Sequence, residues 1–188
     1  MNITNERYEI RIAGFGGQGV VTIGRILGRA FAVYEGLNSV NTQSYGPESR
    51  GGACRSEVVI SSGPIHYPYV RKAHLLVALS QLALDEYGSS LHAEGTLLVD
   101  PDTVENLPTD FCGDLYRVLT MGIAREVGNM KFQNSVALGA LYWLIQDKIA
   151  EESIQKALAD SVPPKTLKGN IAAFDQGKTY FKQSKQNE

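Results

Sequence analysis

Gly14-Phe15-Gly16-Gly17-Gln18-Gly19 stands between the apolar run Ile10-Arg11-Ile12-Ala13 and the segment Val20-Val21-Thr22-Ile23-Gly24-Arg25-Ile26-Leu27. Strand, glycine turn and helix in that order predict the first unit of an α/β sheet. The turn then lies at the carboxyl end of its strand, where ligands bind in such sheets. Small residues let an anion approach the backbone, and a helix N-terminus offers free N–H groups and the positive end of its dipole. The spacing also fits G-x-G-x-x-G, the dinucleotide fingerprint. A turn of this form also serves as a tight connection with no ligand, so the match alone does not assign one.

Working outward, the pattern alternates between β and α. Strands are predicted over 8–13, 37–42, 54–61, 75–79, 95–100 and 114–119, and helices over 18–34, 81–87, 121–127, 134–149, 151–160 and 166–181. Ser62-Gly63-Pro64 reads as a turn that pairs 54–61 with Ile65-His66-Tyr67 in an antiparallel hairpin. Pro163-Pro164 reads as a helix break, and 182–188 as a frayed polar tail. The fold class is therefore α/β: a doubly wound, mostly parallel Rossmann-like sheet with an inserted β-hairpin. One domain spans 1–188, with its core over about 8–181. The helix over 134–149 is apolar on all sides, which places it inside the domain or at a subunit contact.

Composition narrows the classes. Of 188 residues, 43% are hydrophobic and 20% charged, with a formal charge of −2, so nothing draws the chain to nucleic acid or to an anionic membrane. No apolar run approaches the ~20 residues that span a bilayer. The polar start lacks the form of a signal peptide, and a cytoplasmic location is expected. Two cysteines, Cys54 and Cys112, lie far apart. They offer no cluster or zinc framework, so no metal site is expected. Cys54 reads as a buried structural thiol. His66, His74 and His92 lack metal-ligand spacing and read as surface or turn residues. Tyr142 and Trp143 read as core or interface, and Lys165 and Lys168 as a solvated face.

An NAD site needs a carboxylate at the end of strand two, about 20 residues beyond the glycines. Asn41-Thr42-Gln43 falls there, and Glu35 sits at the preceding helix end. No Gly-Lys-Ser/Thr follows the loop, so it is not a P-loop. What remains is a phosphate-bearing ligand whose adenosine is not gripped by a strand-two acid.

About 25 residues after the glycine loop comes Gln43-Ser44-Tyr45-Gly46-Pro47-Glu48-Ser49-Arg50-Gly51-Gly52, followed by Cys54-Arg55-Ser56-Glu57-Val58 and later Asn134-Ser135-Val136-Ala137-Leu138-Gly139. Together these motifs resemble the γ subunit, or γ domain, of 2-oxoacid:ferredoxin oxidoreductases. The Tyr-Gly-Pro-Glu-Ser-Arg-Gly-Gly form is most similar to the 2-oxoglutarate-type branch. The resemblance covers roughly residues 8–150; Leu119-Thr120-Met121 departs from it by lacking a proline before the next helix.

The resemblance implies a multisubunit enzyme that converts a 2-oxoacid and coenzyme A to acyl-CoA and CO2 and reduces ferredoxin. It implies partner α, β and ferredoxin-like δ subunits carrying thiamine diphosphate, Mg2+ and iron–sulfur clusters. This chain has neither a Gly-Asp-Gly motif for a metal-bound diphosphate nor a cysteine set, so it reads as an accessory chain without catalytic residues of its own. The resemblance also implies that Gly14, Phe15, Gly16, Gly17, Gln18 and Gly19 face the phosphates of CoA, with Gln18 as a side-chain donor. Residues Gln43 to Gly52 are then expected at the edge of the cofactor cavity or at a subunit interface. There Arg50 would meet an anion bidentately. A polar surface turn with a local ion pair is the plainer reading of that stretch. Two alternatives stay open for the whole chain: a free-standing nucleotide-binding or structural protein, or a subunit of an NAD-linked or an aryl or branched-chain 2-oxoacid complex.

Overall fold

The computed structural model describes residues 7–45, 53–109 and 111–184. Six strands, β1 (Tyr8–Phe15), β2 (Asn38–Tyr45), β3 (Ala53–Ser61), β4 (Ala73–Ala78), β5 (Leu91–Val99) and β6 (Asp114–Arg117), form one sheet in the order β2-β3-β1-β4-β5-β6. The pairs β1·β4, β4·β5 and β5·β6 are parallel. Strand β3 runs antiparallel to both its neighbours, β1 and β2. The sheet is thus α/β and mixed, with one reversed strand.

An inserted hairpin is present, but its strands are β2 and β3 rather than 54–61 and 65–67. The register runs from Asn38 opposite Ser61 to Tyr45 opposite Cys54. Residues 62–72 form neither helix nor strand. Pro64 and Pro68 lack the N–H that a ladder needs. The backbone groups of 67–72 find side-chain partners on Arg7, on Glu9 and Arg11 of β1 and on Glu57 of β3 instead.

Strand β1 alternates faces. Tyr8, Ile10 and Ile12 join the larger apolar cluster, built with α1 (Val20–Arg29), α3 (Thr120–Glu126), α4 (Gln133–Ile145), α5 (Glu151–Ser161) and α6 (Pro164–Ser184). Glu9, Arg11 and Ala13 take the other face, which α2 (Gln81–Tyr87) and the loops 65–70 and 104–111 cover. The first helix begins at Val20 instead of Gln18 and continues as a wider π turn over Ala30–Tyr34. Helix α5 ends at Ser161, so Pro163-Pro164 breaks the helical run as expected, and Pro164 also opens α6 at the first helical position, where a missing N–H costs nothing.

The apolar helix α4 is buried within the domain, against α6. Glycines allow the backbones to touch: a Cβ at Gly139 would lie 2.0 Å from the Phe174 oxygen, and one at Gly177 2.1 Å from the Val136 oxygen. Trp143, half-buried, packs on Phe181 of α6 (5.1 Å between ring centres) and edge-on to Tyr116 of β6 (5.8 Å).

On the α2 face, Arg11 of β1 lies directly across from Glu57 of β3. Both are buried, at 6% and 3% exposure, and Arg11 Nε donates to Glu57 Oε1 at 2.9 Å. Arg11 also donates to Ser90 Oγ and to the Val70 carbonyl, while Glu57 accepts from the Val70 N–H and the Thr42 hydroxyl. Glu57 also pairs with Arg55 Nε at 3.4 Å, so the single loss that leaves a buried, unpaired charge is that of Glu57. Glu57→Leu is expected to destabilise the chain by about 3–5 kcal/mol in urea unfolding, and Arg11→Met with Glu57→Leu to recover part of that loss.

Candidate functional site

The glycine loop closes the carboxyl end of β1. Gln18 N–H donates to the Phe15 carbonyl at 3.2 Å, forming the turn. The Gln18 side chain then braces it: Oε1 accepts the Phe15 N–H at 2.6 Å, and Nε2 donates to the Leu79 carbonyl at 2.7 Å. Its amide thus ties the ends of β1 and β4 together. Gly14 makes room for the brace, since a Cβ there would lie 2.4 Å from Gln18 Oε1.

Gly19, with φ +77°, is the N-cap of α1 and supplies no side-chain cap. It abuts α4: a Cβ on Gly19 would lie 2.6 Å from the Asn134 Cβ. Helix α4 continues from a 3-10 turn (Met130–Phe132) that Asn129 caps by accepting the Lys131 N–H at 3.0 Å, and neither α1 nor α4 has an acid in its first turn. The uncapped N-terminus of α1, with its free N–H groups and positive dipole end, therefore lies beside the first turn of α4. The Asn134 side-chain oxygen is buried there without a hydrogen-bond partner. Gly16 borders open space, and the Phe15 ring is 42% exposed. The arrangement is suited to an anion held by backbone amides. Asn134 was not singled out from sequence as a site residue, although it opens the motif Asn134–Gly139.

Neighbouring strand ends are already satisfied. Ser80, after β4, caps α2 by accepting the Ala83 N–H at 3.2 Å. Asp100, after β5 and 2% exposed, accepts the N–H groups of Thr120 and Asp102, each at 3.0 Å, and the Thr120 hydroxyl. Thr120 thus uses the N–H that the expected proline would lack.

The second motif approaches the first through the hairpin. Tyr45, Cys54 and Gly14 form one row across β2, β3 and β1, and Ala53 pairs with Phe15. Gln43 and Ser44 pair with Ser56 and Arg55. Gly46, Pro47, Glu48, Ser49, Arg50, Gly51 and Gly52 lie outside the described residues.

Inserting β3 beside β1 also removes the geometry of a ribose-binding acid, because the next strand enters antiparallel with its first residues at the loop. Asn41 donates to Ser56 Oγ (2.9 Å) and the Glu57 carbonyl (3.0 Å), and Glu35 accepts the Ala150 N–H (2.9 Å). Cys54 is buried.

At the opposite end of the sheet, His74 and His92 are not turn residues. They lie on β4 and β5, with Tyr8 stacked on His74 (4.9 Å) and His74 beside His92 (4.6 Å). They line a cavity of about 590 Å³ with Asp147 and Lys148, where burial and then Asp147 push the Tyr8 hydroxyl up to about 12.

Residues 9–180 match the family described as pyruvate ferredoxin/flavodoxin oxidoreductase. The chain belongs to that family. It is 48% identical over 181 residues to the 2-oxoglutarate synthase subunit KorC of Methanothermobacter marburgensis, covering 92% of this chain and 95% of that one. KorC of Methanocaldococcus jannaschii is 46% identical over 174 residues, 91% of this chain and 92% of that protein. Among solved structures, the γ subunit of a keto/oxoacid ferredoxin oxidoreductase from Geobacter sulfurreducens superposes with a TM-score of 0.81 at 39% identity, covering 91% of this chain and 96% of that one. The 2-oxoglutarate:ferredoxin oxidoreductase of Magnetococcus marinus, solved with 2-oxoglutarate, coenzyme A and succinyl-CoA bound, shares the fold at a TM-score of 0.83 and 24% identity. This chain covers 32% of that longer one and is itself 96% covered. The same fold thus occurs both as a separate chain and as one part of a larger one.

Within this loop the glycines are not equivalent. Gly19→Ala forces a side chain into a left-handed backbone against Asn134 and is expected to cost about 2 kcal/mol or more. Gly16→Ala meets no neighbour and should shift stability by less than about 1 kcal/mol. Urea midpoints of the two variants check the difference.

Proposed function

We propose that this chain is the γ subunit of a multisubunit 2-oxoglutarate:ferredoxin oxidoreductase and that its glycine loop holds a phosphate of coenzyme A. The reaction takes 2-oxoglutarate, CoA and two oxidised ferredoxins to succinyl-CoA, CO2, two reduced ferredoxins and a proton. The substrate assignment rests on the KorC relatives. The observation that carries the CoA assignment is the uncapped N-terminus of α1 at Gly19, reached through a glycine loop whose Gly16 borders open space. That site suits a phosphate, and the reversed β3 leaves no place for the acid that a nicotinamide dinucleotide needs.

In this reading residues 1–188 are a single γ-type domain, cytoplasmic and inactive alone. Among the described residues, no helix is long and apolar enough to cross a membrane. Thiamine diphosphate, Mg2+ and iron–sulfur clusters belong to partner α, β and δ chains. There the thiamine supplies the carbanion chemistry and the clusters pass electrons to ferredoxin. The work of this chain is binding: backbone amides of 14–19 orient the phosphate, and Gln18 keeps the loop closed. The stretch from Gln43 to Gly52 borders the shared cavity, with Arg50 facing an anion.

Copurification with thiamine- and cluster-bearing chains tests the assignment; a chain that remains a lone monomer refutes it. In the assembled complex, Gly16→Val should raise the Michaelis constant for CoA about tenfold or more while leaving that for 2-oxoglutarate unchanged. An unchanged constant for CoA overturns the loop assignment. Arg50→Lys should lower the rate of succinyl-CoA formation, because a point charge does not replace a bidentate fork; full activity returns that stretch to a solvated turn.

A further inference from the structure

Between β3 and β4 the chain runs Pro64-Ile65-His66-Tyr67-Pro68-Tyr69-Val70-Arg71-Lys72 without helix or strand. It is nevertheless fastened at many points. Every second residue at the start of the sheet's central strand takes hold of its backbone. Arg7 donates to the carbonyls of Tyr67 (2.5 Å) and Tyr69 (2.6 Å). Glu9 accepts the N–H groups of Arg71 (2.8 Å) and Lys72 (3.2 Å). Arg11 donates to the Val70 carbonyl (3.1 Å), and Glu57 accepts the Val70 N–H (3.3 Å). Ile65 and Val70 turn inward onto the apolar cluster of the α2 face, and two prolines stiffen the segment.

What this rigid loop displays is aromatic and basic. Tyr67 and Tyr69 are 42% and 51% exposed and meet edge-on at 5.6 Å. The Arg71 guanidinium lies over the Tyr67 ring at 4.6 Å. Arg71, Lys72 and His66 are exposed. From Val58 to Leu84 the sequence contains no Asp or Glu, although the whole chain carries a charge of −2. Beneath the loop, Arg7, Arg11 and Arg55 stand against Glu9 and Glu57. The buried charges therefore do not cancel the basic surface.

Exposed tyrosines and arginine, held in place before any contact, are the make-up of an interface anchor. The ordering cost is met by the fold rather than by association. A basic rim selects its partner by charge. We propose that the loop 64–72 is a docking surface for an acidic patch on another protein subunit of the same enzyme. The proposal rests on reading the chain as one subunit of a multisubunit oxidoreductase.

The test uses the full chain coexpressed with its partner chains. Wild-type assembly establishes the subunit reading; its failure overturns that reading and the docking proposal with it. Given assembly, Tyr67→Ser/Tyr69→Ser and Arg71→Glu/Lys72→Glu should each weaken retention of this chain about tenfold or more, with urea midpoints unchanged. Rising salt should weaken the wild type more than Arg71→Gln/Lys72→Gln. A zero-length carbodiimide crosslink should join Lys72 to a carboxylate of a partner chain. Retention unchanged in both double variants overturns the proposal. So does a homodimer of the isolated chain that these substitutions dissolve, which would make the occupant a second copy.

Discussion

The guanidinium of Arg11 and the carboxylate of Glu57 share the junction between the central strand and the one reversed strand of the sheet. Taking two such charges out of water costs several kcal/mol per ion, and attraction offsets that only when the remaining donors and acceptors are also used. Here they are: a serine, a threonine and both polar groups of Val70 complete the set. The pair therefore fixes β3 beside β1 in one register, because a slip of β3 by one residue would turn Glu57 toward the larger apolar layer and away from Arg11. With β3 fixed, β2 is held one strand farther out, and the ends of the two sequence motifs fall side by side. The irregular segment after β3 hangs on the same charges.

The fold was legible where local chemistry decides it. The first βα unit, the continuous apolar run of β4 and the break between the last two helices are written in periodicity and in the placement of Gly and Pro. Strand pairing was less legible. The stretch 54–61 pairs with a strand before it, and no local signal distinguishes that from pairing with residues 65–67, apart from the prolines at 64 and 68. The loop over 62–72 is shaped by side chains from β1 more than 55 residues earlier, which no window of local sequence contains. Likewise the two histidines on β4 and β5 meet only because the strands are parallel neighbours.

The candidate site shows the same division. Its glycines announce a turn that a ligand can approach. That Gln18 braces the turn, and that Asn134 arrives from a helix 115 residues farther along, are products of packing. Recognition through backbone amides leaves few chemical residue types to read, so the sequence marks the site chiefly by what it leaves out: a side-chain cap on α1 and an acid in its first turn.

Trp143 is the one tryptophan of the chain, and its ring is clasped between Tyr116 on the edge strand and Phe181 near the end of the last helix. The intrinsic fluorescence of this protein is therefore a local signal. It reports how closely the final helix seats on the sheet edge, and a change in emission would describe the loosening or closure of that helix against α4 and β6.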